Sequence, residues 1–207
     1  MIIFFIRHGE TEFNKEKRYQ GQLDIPLSKE GKAKIRKAGF SPKKVYVTTL
    51  KRTRQTADLI FPDAEKIEVD GLKEMDFGRF EGRNYEEMSD DKEYRAWIDS
   101  ECAGRCPGGE SKEEFQERTC KALNELIEKT AEAGEDLLAI VAHGGTIMAS
   151  LEKMAFPGRS YYSWLPGNAE GFLLEYVPEN APHILKCVTE VRFHNAKSGF
   201  PGGVVNI

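Results

Sequence analysis

The sequence predicts an α/β fold: a three-layer sandwich with a mostly parallel central sheet flanked by helices. Three observations carry this. Residues 2–6 (Ile2-Ile3-Phe4-Phe5-Ile6) and 137–142 (Leu137 to Ala142) are uninterrupted apolar runs, the pattern of strands buried on both faces. Helix-patterned stretches alternate with the strand candidates along the chain. The length, 207 residues, suits one well-cored domain and little more, so residues 1–207 are read as a single domain.

Residues 2–6 form the first strand candidate. Ser28 opens a helical stretch to Lys37, with Lys29-Glu30 in its first turn and Gly39 near its end. Val45-Tyr46-Val47 is a second strand. Residues 51–60 have helical spacing, place Leu50, Ala57 and Ile60 toward the core, and stop at Pro62. Ile67-Glu68-Val69 is a third strand. Residues 78–110 are charged and punctuated by Gly and Pro, with short helical pieces expected at Tyr85–Met88 and Asp91–Ile98. This segment reads as an insertion over the strand ends, where a substrate lid belongs. Ser111 with Glu114 three residues on resembles a capping box, and Phe115, Leu123, Leu126, Ile127 and Ala131 recur at helical spacing before Gly134. After strand 137–142, Gly144-Gly145 turns into a helix over about 146–154. Residues 171–177 and 184–193 alternate enough to be late strands, and the Gly/Pro-rich tail from Lys197 is expected to be loosely held.

Composition excludes several classes. A net charge of −4 and a pI near 5.7 argue against nucleic-acid binding. No apolar run approaches membrane-spanning length, and the N-terminal run is too short for a signal-peptide core, so no membrane association is expected and the protein reads as cytoplasmic. Cys102 and Cys106 form a C-x3-C pair with no second pair or flanking histidine, a weak zinc signal; reduced thiols fit better.

The chemistry gathers at two strand ends. The first strand runs into Arg7-His8-Gly9, and strand 137–142 runs into His143-Gly144-Gly145. Carboxyl ends of strands are where open α/β sheets place ligands, and glycine lets the backbone approach closely. A single strand-end histidine would read as structural. Two with the same local grammar, one beside an arginine, point to a shared anion site. A metal site would want a nearby carboxylate, and arginine repels cations. Thr48-Thr49-Leu50-Lys51-Arg52-Thr53-Arg54 opens a helix, which favours anions at its start. Arg52 and Arg54 differ in direction by about half a turn, so one faces the crevice and the other faces solvent.

With these residues in place, the chain resembles the histidine phosphatase superfamily, the phosphoglycerate-mutase-like proteins. Arg7-His8-Gly9-Glu10-Thr11 with Asn14 is similar to the first motif of that family. Leu50-x-Arg52-x-x-Gln55-Thr56-Ala57 is similar to the second, which marks Arg52 as the phosphate arginine and Arg54 as the surface one. Leu72-Lys73-Glu74 with Phe77-Gly78-Arg79-Phe80-Glu81-Gly82 resembles the stretch bearing the acid/base carboxylate, and Val141-Ala142-His143-Gly144-Gly145 the second histidine. The resemblance covers residues 2 to about 176, with the motifs in the family's order. Thr48 and Thr53 stand where serine and alanine are commoner, and Phe80 where tryptophan is usual; no reacting group is lost.

The resemblance implies a phosphomonoesterase acting on a small phosphorylated metabolite. His8 is the nucleophile, forming a phosphohistidine that water hydrolyses. Its other ring N–H is expected on a backbone carbonyl near Gly9. Arg7, Asn14, Arg52, His143 and the Gly144 N–H are expected around the phosphate, with His143 protonated to add charge. Glu74 is the expected acid and then base. Gln20 and Gly21 are expected at the pocket, Glu10 as a local structural contact, and Glu81 as a loop-ordering residue. No metal and no cofactor are implied. Tyr94-x-x-Trp97 and Pro107-Gly108-Gly109-Glu110-Ser111 with Phe115 are similar to α-ribazole phosphatases of cobalamin synthesis, although packing of the 91–98 helix is the simpler role for Tyr94 and Trp97. The alternatives are a cofactor-dependent phosphoglycerate mutase, a broad-specificity sugar-phosphate phosphatase, and a binding protein on an inactive scaffold, against which the full set of reacting groups argues.

Overall fold

The computed structural model describes residues 1–194. In chain order these form β1 (Ile2–Arg7), α1 (Glu12–Lys15), α2 (Lys29–Lys34), β2 (Lys44–Val47), α3 (Lys51–Ile60) and β3 (Glu65–Glu68). There follow α4 (Lys92–Asp99), α5 (Lys112–Glu132), β4 (Leu137–Ala142), α6 (Gly144–Met154), β5 (Ala155–Phe156), β6 (Glu170–Tyr176) and β7 (Leu185–Arg192). The strands make one seven-stranded sheet in the order β3-β2-β4-β1-β6-β7-β5. Its pairings are parallel except those of β6, which runs antiparallel to both β1 and β7.

Two-residue alternation along β1 and β4 divides the core into the two faces that a three-layer architecture requires. Ile3, Phe5, Leu138, Ile140 and Ala142 pack against Leu123, Leu126 and Ile127 of α5 and Ile147 and Leu151 of α6. Phe4, Ile6, Ala139 and Val141 point the other way, onto Ala57 and Ile60 of α3. With helices on both faces, the near-continuous hydrophobicity of these strands follows.

Several local expectations are met at the residue. Ser111 caps α5, and its hydroxyl accepts from Glu114 N while the Glu114 carboxylate accepts from Ser111 N. Gly134 adopts φ +68° just beyond the helix. Others need correction. The helix expected over 28–37 ends at Lys34, because Ile35 bridges to His194 and Arg36 N donates to Phe193 O. Tyr85–Met88 is a turn rather than a helix: Asn84 Oδ1 accepts from Glu87 N, and the Glu87 carboxylate is held by both terminal nitrogens of Arg18 at 2.7 Å. The helix after strand 137–142 begins at Gly144, not Thr146, so its first turn starts beside His143. His194 is half-buried with Nε2 2.6 Å from Glu170 Oε1. The tail from Lys197 lies outside the described residues.

Residues 78–110 build a smaller apolar cluster of their own. Phe80, Met88, Tyr94, Trp97 and Cys106 pack with Phe115 of α5 and Ala149 of α6. Phe80, fully buried, edges onto Tyr94 with ring centroids 5.4 Å apart. Among the described residues no helix is long and apolar enough to cross a membrane, and the four cysteines are free thiols.

Candidate active site

Parallel pairing of β1 with β4, with Arg7 opposite Ala142, brings the two strand-end histidines side by side. His8 N donates to Ala142 O at 2.9 Å, and the imidazoles meet edge to face with centroids 5.4 Å apart. His8 Nδ1 lies 2.7 Å from Gly9 O. A carbonyl can only accept, so Nδ1 carries the proton and Nε2 holds the lone pair. Gly9 is itself tied down, its N–H donating to Thr56 Oγ1 at 2.9 Å. Burial, and then the charges of Arg52 and Arg7, hold the His8 imidazole well below its ordinary pKa. The ring is therefore neutral at neutral pH, as a nitrogen nucleophile requires.

Arg52 sits at the start of α3, fully buried. Nη2 and Nη1 donate to the carbonyls of Gly21 and Leu23, both at 2.7 Å, and Nε donates to His143 Nδ1 at 3.2 Å. Burial lowers its pKa to about 10, which leaves it charged at neutral pH. Gly21 permits this contact: at φ +47°, a Cβ would lie 1.9 Å from Glu81 Oε1. Gln20 is buried, accepting from Thr11 Oγ1 at 2.9 Å. Gln20 and Gly21 thus shape the loop under Arg52.

His143 departs from expectation. Its Nδ1 accepts from Arg52 and its Nε2 lies 3.0 Å from Thr48 Oγ1. A ring accepting at Nδ1 carries its one proton on Nε2 and is neutral. Burial, Arg52, His8 and Arg7 all push its pKa down, so the protonated form expected from the motif is not the resting form. Arg54 is the solvent-facing arginine, paired with Glu68.

Arg7 is partly buried, with Nη1 donating to Pro166 O at 2.8 Å. Its guanidinium lies against Gly144, where a Cβ would approach Nε to 3.3 Å. Asn14 Oδ1 accepts from Thr11 N at 3.0 Å and from Asn168 Nδ2 at 3.2 Å, which leaves its NH2 end as the donor. Glu10 behaves as a local contact: its carboxylate pairs with Lys34 and its carbonyl accepts from Ser28 N. Glu81 orders a loop, with Oε1 accepting from Gln22 N at 2.7 Å and Phe77 N at 3.2 Å.

Glu74 arrives from the loop after β3 and is fixed by both carboxylate oxygens. Oε2 accepts from Gly145 N and Oε1 from Met75 N, each at 3.0 Å. Behind it, Arg118 of α5 donates to the carbonyls of Gly71 and Lys73 and pairs with Glu110, whose Oε2 also accepts from Asp76 N. Arg118, Glu110 and Gly145 were not signalled by the motifs as supports of Glu74. Only the folded arrangement, in which α5 crosses the 70–76 loop, connects them. A Cβ on Gly145 would lie 2.1 Å from Glu74 Oε1. Gly145→Ala is therefore expected to displace the carboxylate while the fold survives, because the clash is with the end of a side chain. Turnover should fall about a hundredfold with the thermal midpoint little changed, a pairing that steady-state kinetics and calorimetry read directly.

Arg7, Glu74 and Gly144 line a cavity of about 260 Å³. Its other walls are Tyr19, Phe77, Trp97, Tyr161, Tyr162 and Leu165, with Lys112 as a further cation. Lys112 Nζ lies 4.1 Å from the Tyr161 ring centroid. Trp97 packs on Phe80 and also lines the cavity, whereas Tyr94 packs beside it, hydrogen-bonded to Tyr19 through the hydroxyls at 3.1 Å. The wall residues 161–165 carried no motif signal.

Comparison with known proteins identifies the family of the chain. The sequence pattern of the histidine phosphatase superfamily (branch 1) matches residues 3–182. The chain is 35% identical over 151 residues to the probable phosphoglycerate mutase GpmB of Klebsiella pneumoniae, covering 69% of each. It is 34% identical over 166 residues to the 2,3-bisphosphoglycerate-dependent phosphoglycerate mutase 2 of Gloeobacter violaceus, covering 74% of this chain and 75% of the relative. The crystal structure of a putative alpha-ribazole-5'-P phosphatase from Escherichia coli superposes with a TM-score of 0.76 at 22% identity, over 95% of this chain and 96% of that one. A phosphoglycerate mutase structure from Thermus thermophilus gives 0.65 at 28% identity, over 92% and 98%. The fold, the ordered motifs and these matches place the chain in the histidine phosphatase superfamily, whose members act on small phosphorylated substrates.

Proposed function

We propose that the protein is a phosphomonoesterase that passes the phosphoryl group of its substrate through His8 to water. His8 Nε2, bearing the free lone pair, attacks phosphorus, and the bond to the ester oxygen breaks. Arg7, Arg52, the Asn14 NH2 and the N-terminal turn of α6 at Gly144 surround the phosphoryl oxygens, where planar guanidinium groups suit phosphate. A phosphate arriving beside His143 favours its protonated form; the added proton goes to Nδ1, which gives up the bond from Arg52 Nε and frees that N–H for the phosphoryl oxygens. Glu74 gives its proton to the departing alkoxide. Water then attacks the phosphohistidine, Glu74 takes its proton, and inorganic phosphate leaves with neutral His8 restored.

The observation that carries the choice of hydrolysis and of substrate is the wall of the cavity beyond Arg7 and Glu74. Aromatic and aliphatic side chains line the cavity, with Arg7 and Lys112 as its cations. Such a wall suits a flat, weakly polar body. Phosphoglycerate is small and carries a carboxylate, and a mutase must in turn hold a bisphosphate. We therefore assign a nucleoside-like phosphate, with α-ribazole 5′-phosphate as the specific substrate. The relatives named as mutases make phosphoglycerate mutase the second reading.

A phosphate-release screen separates them. Across α-ribazole phosphate, nucleoside monophosphates, sugar phosphates and phosphoglycerates, the expected result is fastest release from α-ribazole phosphate. Conversion of 3- to 2-phosphoglycerate after priming with the bisphosphate, without phosphate release, would assign the mutase instead. Even release across unrelated sugar phosphates would indicate broad specificity.

A further inference from the structure

The loop before β6 lies where no strand-end motif pointed, yet it reaches three members of the phosphate cluster. Because β6 runs antiparallel to β1, its first residues stand beside the last residues of β1. From this loop Pro166 O accepts from Arg7, Ala169 N donates to His8 O at 3.2 Å, and Asn168 Nδ2 lies 3.2 Å from both His8 O and Asn14 Oδ1. A primary amide nitrogen has two hydrogens, so both are engaged. Asn168 cannot reverse its amide without turning an oxygen toward two acceptors.

The two bonds differ in what they control. His8 O belongs to the backbone and has a second donor in Ala169 N. Asn14 is a side-chain amide, and a flip would exchange its donor end for its acceptor end. Thr11 N and Asn168 Nδ2 together hold Oδ1, and the trigonal group then turns NH2 the opposite way. Thr11 Oγ1 has one hydrogen to share between Gln20 Oε1 at 2.9 Å and Asn14 Oδ1 at 3.1 Å, so the two N–H donors are what fix the amide.

We propose that Asn168 is a positioning residue: it locks the amide of Asn14 so that the NH2 end, not the oxygen, is presented to the substrate phosphate. This rests on Asn14 as a phosphate donor, as proposed above. Asn168→Asp keeps the shape but replaces the donor by an acceptor. Asn14 then turns its NH2 toward the new carboxylate and its oxygen toward the phosphate.

The test is a double-mutant cycle on p-nitrophenyl phosphate hydrolysis, with inhibition by inorganic phosphate as a second readout. Asn14→Ala and Asn168→Asp are each expected to raise KM and the phosphate inhibition constant about tenfold to a hundredfold, the scale of a hydrogen bond to a charged group. kcat should change less. In the Asn14→Ala background, Asn168→Asp should cost little more. If its effect persists in full there, it acts by charge or by distortion of His8, and the proposal falls. Wild-type kinetics in either single variant also overturns it. Should Asn168→Asp fail to fold, Asn168→Ala completes the same cycle, with a smaller expected effect because Thr11 N still holds Asn14. His8→Asn, assayed beside them, keeps the outcomes distinct: activity in that variant would refute the phosphohistidine reading itself, whatever the cycle shows.

Discussion

His8→Asn is expected to reduce phosphate release about a million-fold, the scale seen when a covalent nucleophile is removed. Asparagine is the informative substitution. Its side-chain nitrogen can keep the bond to Gly9 O that His8 Nδ1 makes at 2.7 Å, so the strand end stays in place while the attacking lone pair is lost. The residue is 3% exposed, between Arg52, Arg7 and His143, and a smaller neutral side chain brings no clash and no new charge there. Folding should therefore be retained. Phosphate release by the purified variant within tenfold of wild type would refute the covalent route.

Arg52→Met is the second large effect. Arg52 places its charge beside His8, an Nε–H on His143 and two bonds that hold the 21–23 loop. Its removal is expected to lower kcat/KM by about 10²- to 10³-fold, as for loss of one preorganised donor at a developing charge. The pH profile should move as well. His8 acts neutral, so kcat/KM rises with pH through its pKa, which burial, Arg52 and Arg7 hold well below 6.5. Without the Arg52 charge that pKa rises toward its ordinary value, and the acidic limb shifts to higher pH. Arg52→Lys keeps the charge and loses the planar fork. It should lose activity with its acidic limb near the wild-type position. Identical limbs in the wild type and Arg52→Met would show that Arg52 does not set the protonation of His8.

The cluster that these variants probe was largely legible in the sequence, and the reason is topological. Apolar runs long enough to mark buried strands end at Arg7 and Ala142, and adjacent parallel strands finish at the same edge of a sheet. The residues after them, His8 and His143, therefore had to be close if the strands were neighbours. Arg52 was legible because the start of a helix after a strand opens onto that same edge. Glu74, on a loop with no periodicity, was legible only through the family motif.

What the sequence hid depends on pairing and on tertiary partners. A strand whose direction is reversed brings its beginning, not its end, to the active edge, so Pro166 and Asn168 sat outside every pattern of apolar run followed by polar residues. The neutral state of His143 follows from one bond, Arg52 Nε to Nδ1, which no spacing encodes. The helical reading of residues 85–88 failed because local charges were free to bond elsewhere, with Arg18 gripping Glu87 from a distant loop. The cavity wall at Tyr161, Tyr162 and Leu165 comes from a single turn of 3-10 helix between β5 and β6, where hydrophobic residues look the same whether they face the core or a ligand.

The most direct measurement is the location of the phosphoryl group during turnover. Wild-type protein mixed with p-nitrophenyl phosphate and quenched in base, where phosphohistidine persists, should carry one phosphoryl group, mapped by peptide mass spectrometry to His8 and lost on acid treatment. Steady turnover with no label at His8, or with the label on another residue, would contradict the assignment of His8 as the phosphoryl acceptor.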